Sequence, residues 1–154
     1  MPPVANSRFL DDLEVGERFS TRAATLSEEE ILDFARRFDP QPFHVDREAA
    51  ARSIYRGLIA SGFHTESLVF RLFIDLGVLA QASMGSPGVD ELVWRAPVRP
   101  GDALRAEVEV LEVRPSASKQ DRGIARLRYR GYNQRDEEVI SFIVNHLLKK
   151  KPPS

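Results

Sequence analysis

One long apolar segment limits, more than any other feature, what this chain can fold into. It covers residues 61–84, and its apolar side chains would lie on more than one face of a helix, which is typical of a helix buried nearly all round. Glu66, Arg71 and Asp75 interrupt it too often for a membrane span, which needs about 20 apolar residues in succession. The segment therefore predicts the core helix of a globular domain, ended by the glycines and proline at positions 85–88.

The sequence around this helix predicts an antiparallel sheet that covers it. Apolar and polar residues alternate along several stretches, which indicates strands with one buried and one wetter face. The predicted strands cover residues 17–23, 89–96, 104–113, 123–132 and 138–148. This order of elements belongs to the α+β class, in which the sheet wraps around the helix to bury its apolar surface. Because five strands leave unpaired edges, we expect a homodimer whose sheet continues across the interface.

Length and composition restrict the class of protein further. The 154 residues predict one domain, residues 1–154, with frayed ends at about residues 1–7 and 149–154. The 22 basic residues nearly cancel the 23 acidic ones, so we expect no binding to nucleic acid. The absence of cysteine excludes disulfides, thiolate metal sites and a cysteine nucleophile. With no secretory signal, membrane span or metal-ligand pattern, the chain is expected to be cytoplasmic and to need no metal or other cofactor.

Two further helices are predicted before the apolar segment. The first begins with a capping box, formed by Ser27 and Glu30, and it ends at Asp39 because Pro40 restricts the backbone of the residue before it. Asp46 can cap a second, short helix that extends to about residue 53. The residues between these helices, 40–45, are expected to form an irregular loop.

This loop places a carboxylate and an imidazole at its two ends, Asp39 and His44. Pro40 and Pro42 restrict the loop, and fixed geometry is what an acid–base pair needs. Such a pair can hold one water, with one group accepting its proton while the other supports or returns it, and burial is expected to shift both pKa values toward neutrality. On these residues alone, the alternative is that Asp39 simply ends a helix and His44 is a hydrogen-bonded loop histidine.

The entry to the core helix offers a second kind of site. Ser61 can cap the helix, and Gly62 lets another group approach the backbone closely. A helix N-terminus has free N–H groups and a partial positive charge, which suit it to stabilising an oxyanion such as a thioester enolate. On local residues alone, an ordinary Ser-Gly helix start is the alternative.

Both sites belong to a recognisable pattern. Asp39, Pro42, His44 and Asp46 read D-x-x-P-x-H-x-D, and residues 60–65 read A-S-G-F-H-T at the entry to the long helix. These motifs, and the order of elements over nearly the whole chain, resemble the MaoC-like (R)-specific enoyl-CoA hydratases, which have the hot-dog fold. The resemblance implies an enzyme that adds water reversibly to the 2-enoyl thioester of coenzyme A, or of acyl-carrier protein, to give a 3-hydroxyacyl thioester.

The resemblance also implies roles for the residues of these motifs. Asp39 and His44 would hold the catalytic water, and the N–H of Gly62, next to Ser61, would receive the thioester oxygen. The chain departs from the family in two places, since the family's hydratases often carry Asn-Pro where this chain has Gln41 and Pro, and a histidine where it has Ser61. Both departures concern acyl preference more than reaction type.

Three other residues have both a structural interpretation and a role in the substrate pocket, and a fourth has only a structural interpretation. His64, on the first turn of the core helix, could line the substrate tunnel or be structural. Trp94 and Phe142, in predicted strands, are candidates for the core first and for acyl-pocket walls second. His146, in the last strand, is interpreted as structural.

Two other functions stay open at this point. Hot-dog folds also support thioester hydrolysis, which would use a carboxylate on the core helix, and Glu66 is the candidate for it. The chain could also be a non-catalytic acyl-binding subunit of a heterodimer, against which the intact Asp39 and His44 argue.

Overall fold

A computed structural model describes residues 7–153 of the chain. Its strands are β1 Arg18–Thr25, β2 Gly88–Trp94, β3 Ala103–Pro115, β4 Arg122–Tyr132 and β5 Glu138–Lys149. They form one five-stranded antiparallel sheet in the order β1-β3-β4-β5-β2, so β1 and β2 are the edges. The α+β class and the five strands predicted from the sequence are confirmed, each strand within two residues of its predicted bounds.

The helices precede β2 in the chain. They are α1 Glu28–Phe38, α2 Pro42–Val45, α3 Arg47–Ala51 and α4 Gly62–Ile74. The capping box of α1 is confirmed, because the Glu30 N–H donates to Oγ of Ser27 and the Ser27 N–H donates to Oε1 of Glu30, both at 3.1 Å. The prediction of an irregular loop at residues 40–45 is wrong in its second half, since Pro42 starts the short helix α2. Proline suits a first helical turn because its fixed φ is already helical.

The core helix α4 is shorter than the apolar segment that predicted it. It ends at Ile74 instead of residue 84, and Gly77 then takes a left-handed φ of 77°, a conformation in which helices commonly end. Residues 75–82 form turns, yet Val78 and Leu79 in these turns are still buried. The apolar composition therefore predicted the burial of Val78 and Leu79 correctly, but it predicted too long a helix.

The inner face of α4 packs against β1, β3 and β4, through buried Val69, Leu72 and Phe73. Its outer face is not covered, because Phe63 is 54% exposed, so the prediction of a helix buried nearly all round is wrong. Trp94 at the end of β2 is 48% exposed, which corrects its interpretation as a core residue.

The ends of the described region are attached to the domain. The Gln81 N–H donates to Oγ of Ser7 at 2.9 Å, and Lys149 still belongs to β5. Lys151, expected to lie in a frayed end, donates its N–H to Asp11 at 2.8 Å and pairs through Nζ with Asp12 at 2.9 Å. The rest of that prediction, on residues 1–6 and 154, lies outside the described residues. Within residues 7–153, no helix has the length and apolar character needed to cross a membrane.

Candidate active site

Asp39 is the residue that follows α1. Its N–H donates to the carbonyl of Ala35 at 2.8 Å and so closes the last turn, and Pro40 then prevents the helix from continuing. The Gln41 N–H donates back to the carbonyl of Asp39 at 2.8 Å. The backbone is therefore held on both sides of the Asp39 carboxylate.

His44 lies on α2 and is only 4% exposed. Its Nδ1 is 2.7 Å from the carbonyl oxygen of Ile59, and because a carbonyl can only accept, Nδ1 carries a proton. Its Nε2 lies 3.2 Å from Oδ2 of Asp39. The turn between α1 and α2 thus brings the carboxylate and the imidazole of the motif into contact.

The Asp39 carboxylate accepts two hydrogen bonds besides facing His44. Nε2 of Gln41 donates to Oδ1 at 2.6 Å, and Oγ of Ser61 donates to Oδ2 at 2.7 Å. Burial by itself would raise the pKa of Asp39, but these two hydrogen bonds, with a smaller contribution from His44 when its ring is protonated, lower that pKa below its ordinary value. The expected shift toward neutrality is therefore wrong for Asp39, which is an ionised carboxylate at neutral pH.

Ser61 connects the start of α4 to this carboxylate. It is fully buried and is the N-cap of α4, where its Oγ accepts from the Phe63 N–H at 3.3 Å while donating to Asp39. The sequence predicted the cap but not the bond to Asp39, since no local pattern shows that the two segments meet. The Gln41 bond could have been found, because short polar contacts two residues apart are common in turns.

Gly62 is the first residue of α4, where the N–H groups have no carbonyl partner in a preceding turn. A Cβ added to Gly62 would overlap the indole of Trp94, so only glycine fits while Trp94 keeps its position. The Trp94 indole also makes an edge contact with Phe63, with ring centroids 5.3 Å apart. Trp94 is therefore a wall of this site, a role that its sequence position suggested only as a second choice.

Asp39, His44 and Gly62 line one cavity of about 370 Å³, which we call the catalytic cavity. Its other walls are mostly apolar, among them Trp94 and Val98. In the tautomer with the His44 proton on Nδ1, Nε2 and the facing carboxylate oxygen are both acceptors. One water that donates a hydrogen to each would satisfy both groups and keep its lone pairs free to attack.

His64 does not line this cavity. Its ring stacks on Phe34 of α1 with centroids 4.6 Å apart, and its Nδ1 is buried with no hydrogen-bond partner among the described residues. Burial lowers the pKa of His64, with Glu30 opposing that shift. Within the described part of the chain, no group of three His, Asp or Glu side chains could hold a metal ion.

This arrangement can be compared with known proteins. The family described as the MaoC like domain matches residues 12–129. The chain belongs to this family. Among solved structures, the MaoC-like dehydratase from Rhodospirillum rubrum superimposes with a TM-score of 0.88 at 41% sequence identity, covering 95% of this chain and 99% of that one.

Two curated relatives of the MaoC-like chain match most of its length. The uncharacterized protein YdeM of Bacillus subtilis is 33% identical over 141 residues, which covers 92% of this chain and 99% of YdeM. The 3-hydroxybutyryl-CoA dehydratase of Methylorubrum extorquens is 30% identical over 120 residues, covering 75% of this chain and 71% of that protein. The MaoC-like family thus includes dehydratases, and the sequence-based assignment to this family is confirmed.

Proposed function

We propose that this MaoC-like protein catalyses the reversible addition of water to a 2-enoyl thioester, giving a 3-hydroxyacyl thioester. One observation carries the proposal: a buried imidazole and an ionised carboxylate, His44 and Asp39, lie 3.2 Å apart in a cavity that also contains the first residue of α4. The pair supplies a site for one water, and the helix N-terminus supplies N–H groups for an oxyanion.

The proposed hydration balances without any cofactor. A water held between Asp39 and His44 gives one proton to the pair, and its oxygen bonds to the β-carbon of the enoyl group. The electrons of the double bond move toward the thioester carbonyl, whose oxygen becomes an enolate stabilised by the N–H of Gly62. The pair then returns the proton to the α-carbon, so that one water has been added. Dehydration follows the same steps in reverse.

The carrier of the acyl group is proposed from the relatives. The Methylorubrum extorquens protein is named for a coenzyme A thioester, which favours an enoyl-CoA over an acyl-carrier-protein thioester as the substrate. The same enoyl group presented on the two carriers separates these possibilities, since the preferred carrier gives the higher kcat/KM.

The test is the loss of enoyl absorbance when the purified protein is mixed with crotonyl-CoA and with longer enoyl-CoAs. Free thiol measured in the same reactions distinguishes hydration from thioester hydrolysis. Hydrolysis would implicate Glu66, which does not line the catalytic cavity. Turnover by the purified chain alone would exclude a role as a non-catalytic subunit. If the purified protein caused no loss of enoyl absorbance and released no thiol, the proposed function would be contradicted.

We also propose that the protein is a homodimer that pairs along β2. The two edges of the sheet differ, because β1 exposes mostly charged and polar side chains whereas Val89, Val93 and Trp94 of β2 are 44%, 41% and 48% exposed. Phe63 of α4 adds to this apolar surface. Exposed apolar side chains beside an unpaired edge favour association with a second copy. Light scattering should show a dimer for the wild type and a weaker dimer for Val93→Lys. A wild-type monomer at micromolar concentration would contradict the proposal.

A further inference from the structure

A second cavity, of about 500 Å³, lies between α4 and the strands β2 and β5. Phe63 lines both this cavity and the catalytic cavity, so one side chain stands between them. Much of the lining is apolar and includes Phe70, Phe142 and Val144. We call it the distal cavity, and its position past Phe63 fits the far part of an acyl chain whose thioester is at Gly62.

One deeply buried polar residue lines the distal cavity, His146 of β5, which is 3% exposed. Its Nε2 lies 2.8 Å from the hydroxyl of Tyr129, which is fully buried behind it. Burial lowers the pKa of His146 to about 4, so the ring is neutral at neutral pH. The cavity therefore has an uncharged imidazole in an otherwise mainly apolar wall.

The Tyr129 hydroxyl determines which nitrogen of His146 carries the proton. Among residues 7–153, His146 is the only hydrogen-bond partner of this hydroxyl. If Nε2 carried the proton, the buried O–H of Tyr129 would have no acceptor among the described residues, which is unfavourable. The favoured tautomer has Tyr129 donating to Nε2 and the proton of His146 on Nδ1. Nδ1–H is thus a donor for which the described residues supply no acceptor.

We propose that Nδ1–H of His146 donates a hydrogen bond to an uncharged oxygen, a hydroxyl or a keto group, near the far end of the substrate's acyl chain. This inference deepens the proposed function and rests on it, because it assumes that an acyl chain extends past Phe63 into the distal cavity. An apolar chain would leave this N–H without a partner, whereas an oxygen-bearing chain supplies one.

The charge of the distal cavity favours a neutral oxygen over a carboxylate. Glu66 is the only carboxyl group among the described residues that line it. As a carboxylate it would repel a second negative charge, and it could accept the hydrogen of a substrate hydroxyl. Burial raises the pKa of Glu66, and the described lining contains no Lys or Arg side chain to oppose that shift.

The experiment compares medium-chain enoyl-CoAs in sets of equal length. Within each set, the last or next-to-last carbon carries a hydroxyl group, a keto group, a carboxylate or only hydrogens. We expect kcat/KM to be about threefold to tenfold higher for the hydroxyl or keto chain than for the plain chain, as one hydrogen bond would give. The carboxylate chain should be the poorest substrate.

The matching saturated thioesters, which cannot be hydrated, are titrated by the fluorescence of Trp94, the only tryptophan of the chain. Trp94 lies against Gly62 and Phe63, so it should report binding where the two cavities meet. A binding preference without any hydration would retain the distal site and reject the proposed function. Hydration with no preference among the chains would retain the function and overturn the distal site.

The variant for this test replaces both partners, as Tyr129→Phe with His146→Leu. Removing both avoids leaving a buried hydroxyl unpaired, which favours a folded protein. The preference for oxygen-bearing chains should disappear while hydration of the plain chain persists. Asn145→Leu is the matched control, because the Asn145 side chain bonds to Asp90 and Arg126 and does not line the distal cavity. An unchanged preference in the double variant would overturn the inference.

Discussion

The hydroxyl of Ser61 lies 2.7 Å from Oδ2 of Asp39, the same carboxylate oxygen that faces His44. One side chain thus caps α4 and fixes the carboxylate at the end of α1. The helix N-terminus and the acid–base pair are held together by this bond, so a change in either position is transmitted to the other. Ser61 acts as a positioning residue, because it reaches the proposed water only through Asp39.

The first prediction concerns the pH dependence of Ser61→Ala. Hydrogen bonds from Gln41 and Ser61 lower the pKa of Asp39 against the effect of burial, so the carboxylate stays ionised in mildly acidic solution. Activity that needs the ionised form falls as the pH drops through this pKa. Removing the Ser61 donor raises the pKa, and the acid limb of the kcat/KM profile should move to higher pH.

Gln41→Leu should move the limb in the same direction, since Gln41 donates to the other carboxylate oxygen. Ser116→Ala is the matched control, because Ser116 accepts from the Lys119 N–H in a turn away from the catalytic cavity. A Ser61→Ala profile that is lower at every pH but unmoved would indicate a structural role instead.

The second prediction concerns the pair itself. Asp39→Asn keeps the shape of the side chain but removes the carboxylate, and kcat should fall by about 10²–10⁴-fold. His44→Ala should be comparably inactive but less stable, because it empties a buried position and leaves the Ile59 carbonyl without its donor. If the pair acts on one water as a unit, the double variant should be scarcely worse than either single one.

Enoyl-CoA hydration and thermal unfolding followed by circular dichroism are measured on all three variants. A folded Asp39→Asn protein that hydrates at the wild-type rate would exclude the mechanism. Glu66→Gln is the control for the hydrolytic alternative and should leave hydration of crotonyl-CoA close to the wild-type rate, because Glu66 lies outside the catalytic cavity.

The third prediction concerns the contact between Gly62 and Trp94. A methyl group at Gly62 would overlap the indole, which must then move, so Gly62→Ala should shift the emission of Trp94. Gly62→Val adds branching that crowds the helix N-terminus, and loss of an oxyanion donor costs about 10²–10³-fold in kcat. Full activity of a folded Gly62→Val variant would contradict the oxyanion role.

Combining Gly62→Ala with Trp94→Leu separates the two causes of such a loss. A smaller side chain at position 94 removes the overlap with the new methyl group but leaves any obstruction of the N–H in place. Recovery of activity in the double variant, relative to Gly62→Ala, would assign the loss to the displaced indole.

Parts of the site were predictable because local residues encode them. The proline-restricted turn placed Asp39 and His44 at its ends, and the Ser-Gly start of α4 indicated the helix N-terminus. The Ile59 carbonyl that sets the His44 tautomer was not predictable, since a backbone acceptor leaves no signature in the sequence. Likewise, the apolar run through residues 61–84 could not reveal that Gly77 turns the chain, because turns can bury apolar residues as a helix does.

The outer positions of Trp94 and Phe63 were missed for a different physical reason. Apolar residues in strands and helices are usually buried in their own chain, so the pattern indicates the core. A surface that a second copy would cover carries the same residues, and periodicity within one chain cannot separate the two cases. The exposed fractions of Trp94 and Phe63, 48% and 54%, are therefore information that only the fold supplies.

The last prediction concerns acid stability and the buried His146. Its pKa is lowered from 6.5 to about 4 in the folded chain by burial, so the unfolded chain binds a proton more readily. The free energy of unfolding should then be unaffected by this group above about pH 6.5 and fall as the pH drops toward about 4. A difference of this size corresponds to about 3 kcal/mol over the whole interval.

Urea unfolding of the wild type and of the Tyr129→Phe, His146→Leu variant at several pH values isolates this contribution. Other groups, among them Asp39 and His64, also destabilise the fold in acid, but they are present in both proteins. The wild type should therefore lose more stability than the variant as the pH falls, and the two curves should separate mainly below about pH 6.5. Parallel curves would show that His146 is protonated as easily in the folded chain as in the unfolded one, and the neutral donor inferred for the distal cavity would have to be abandoned.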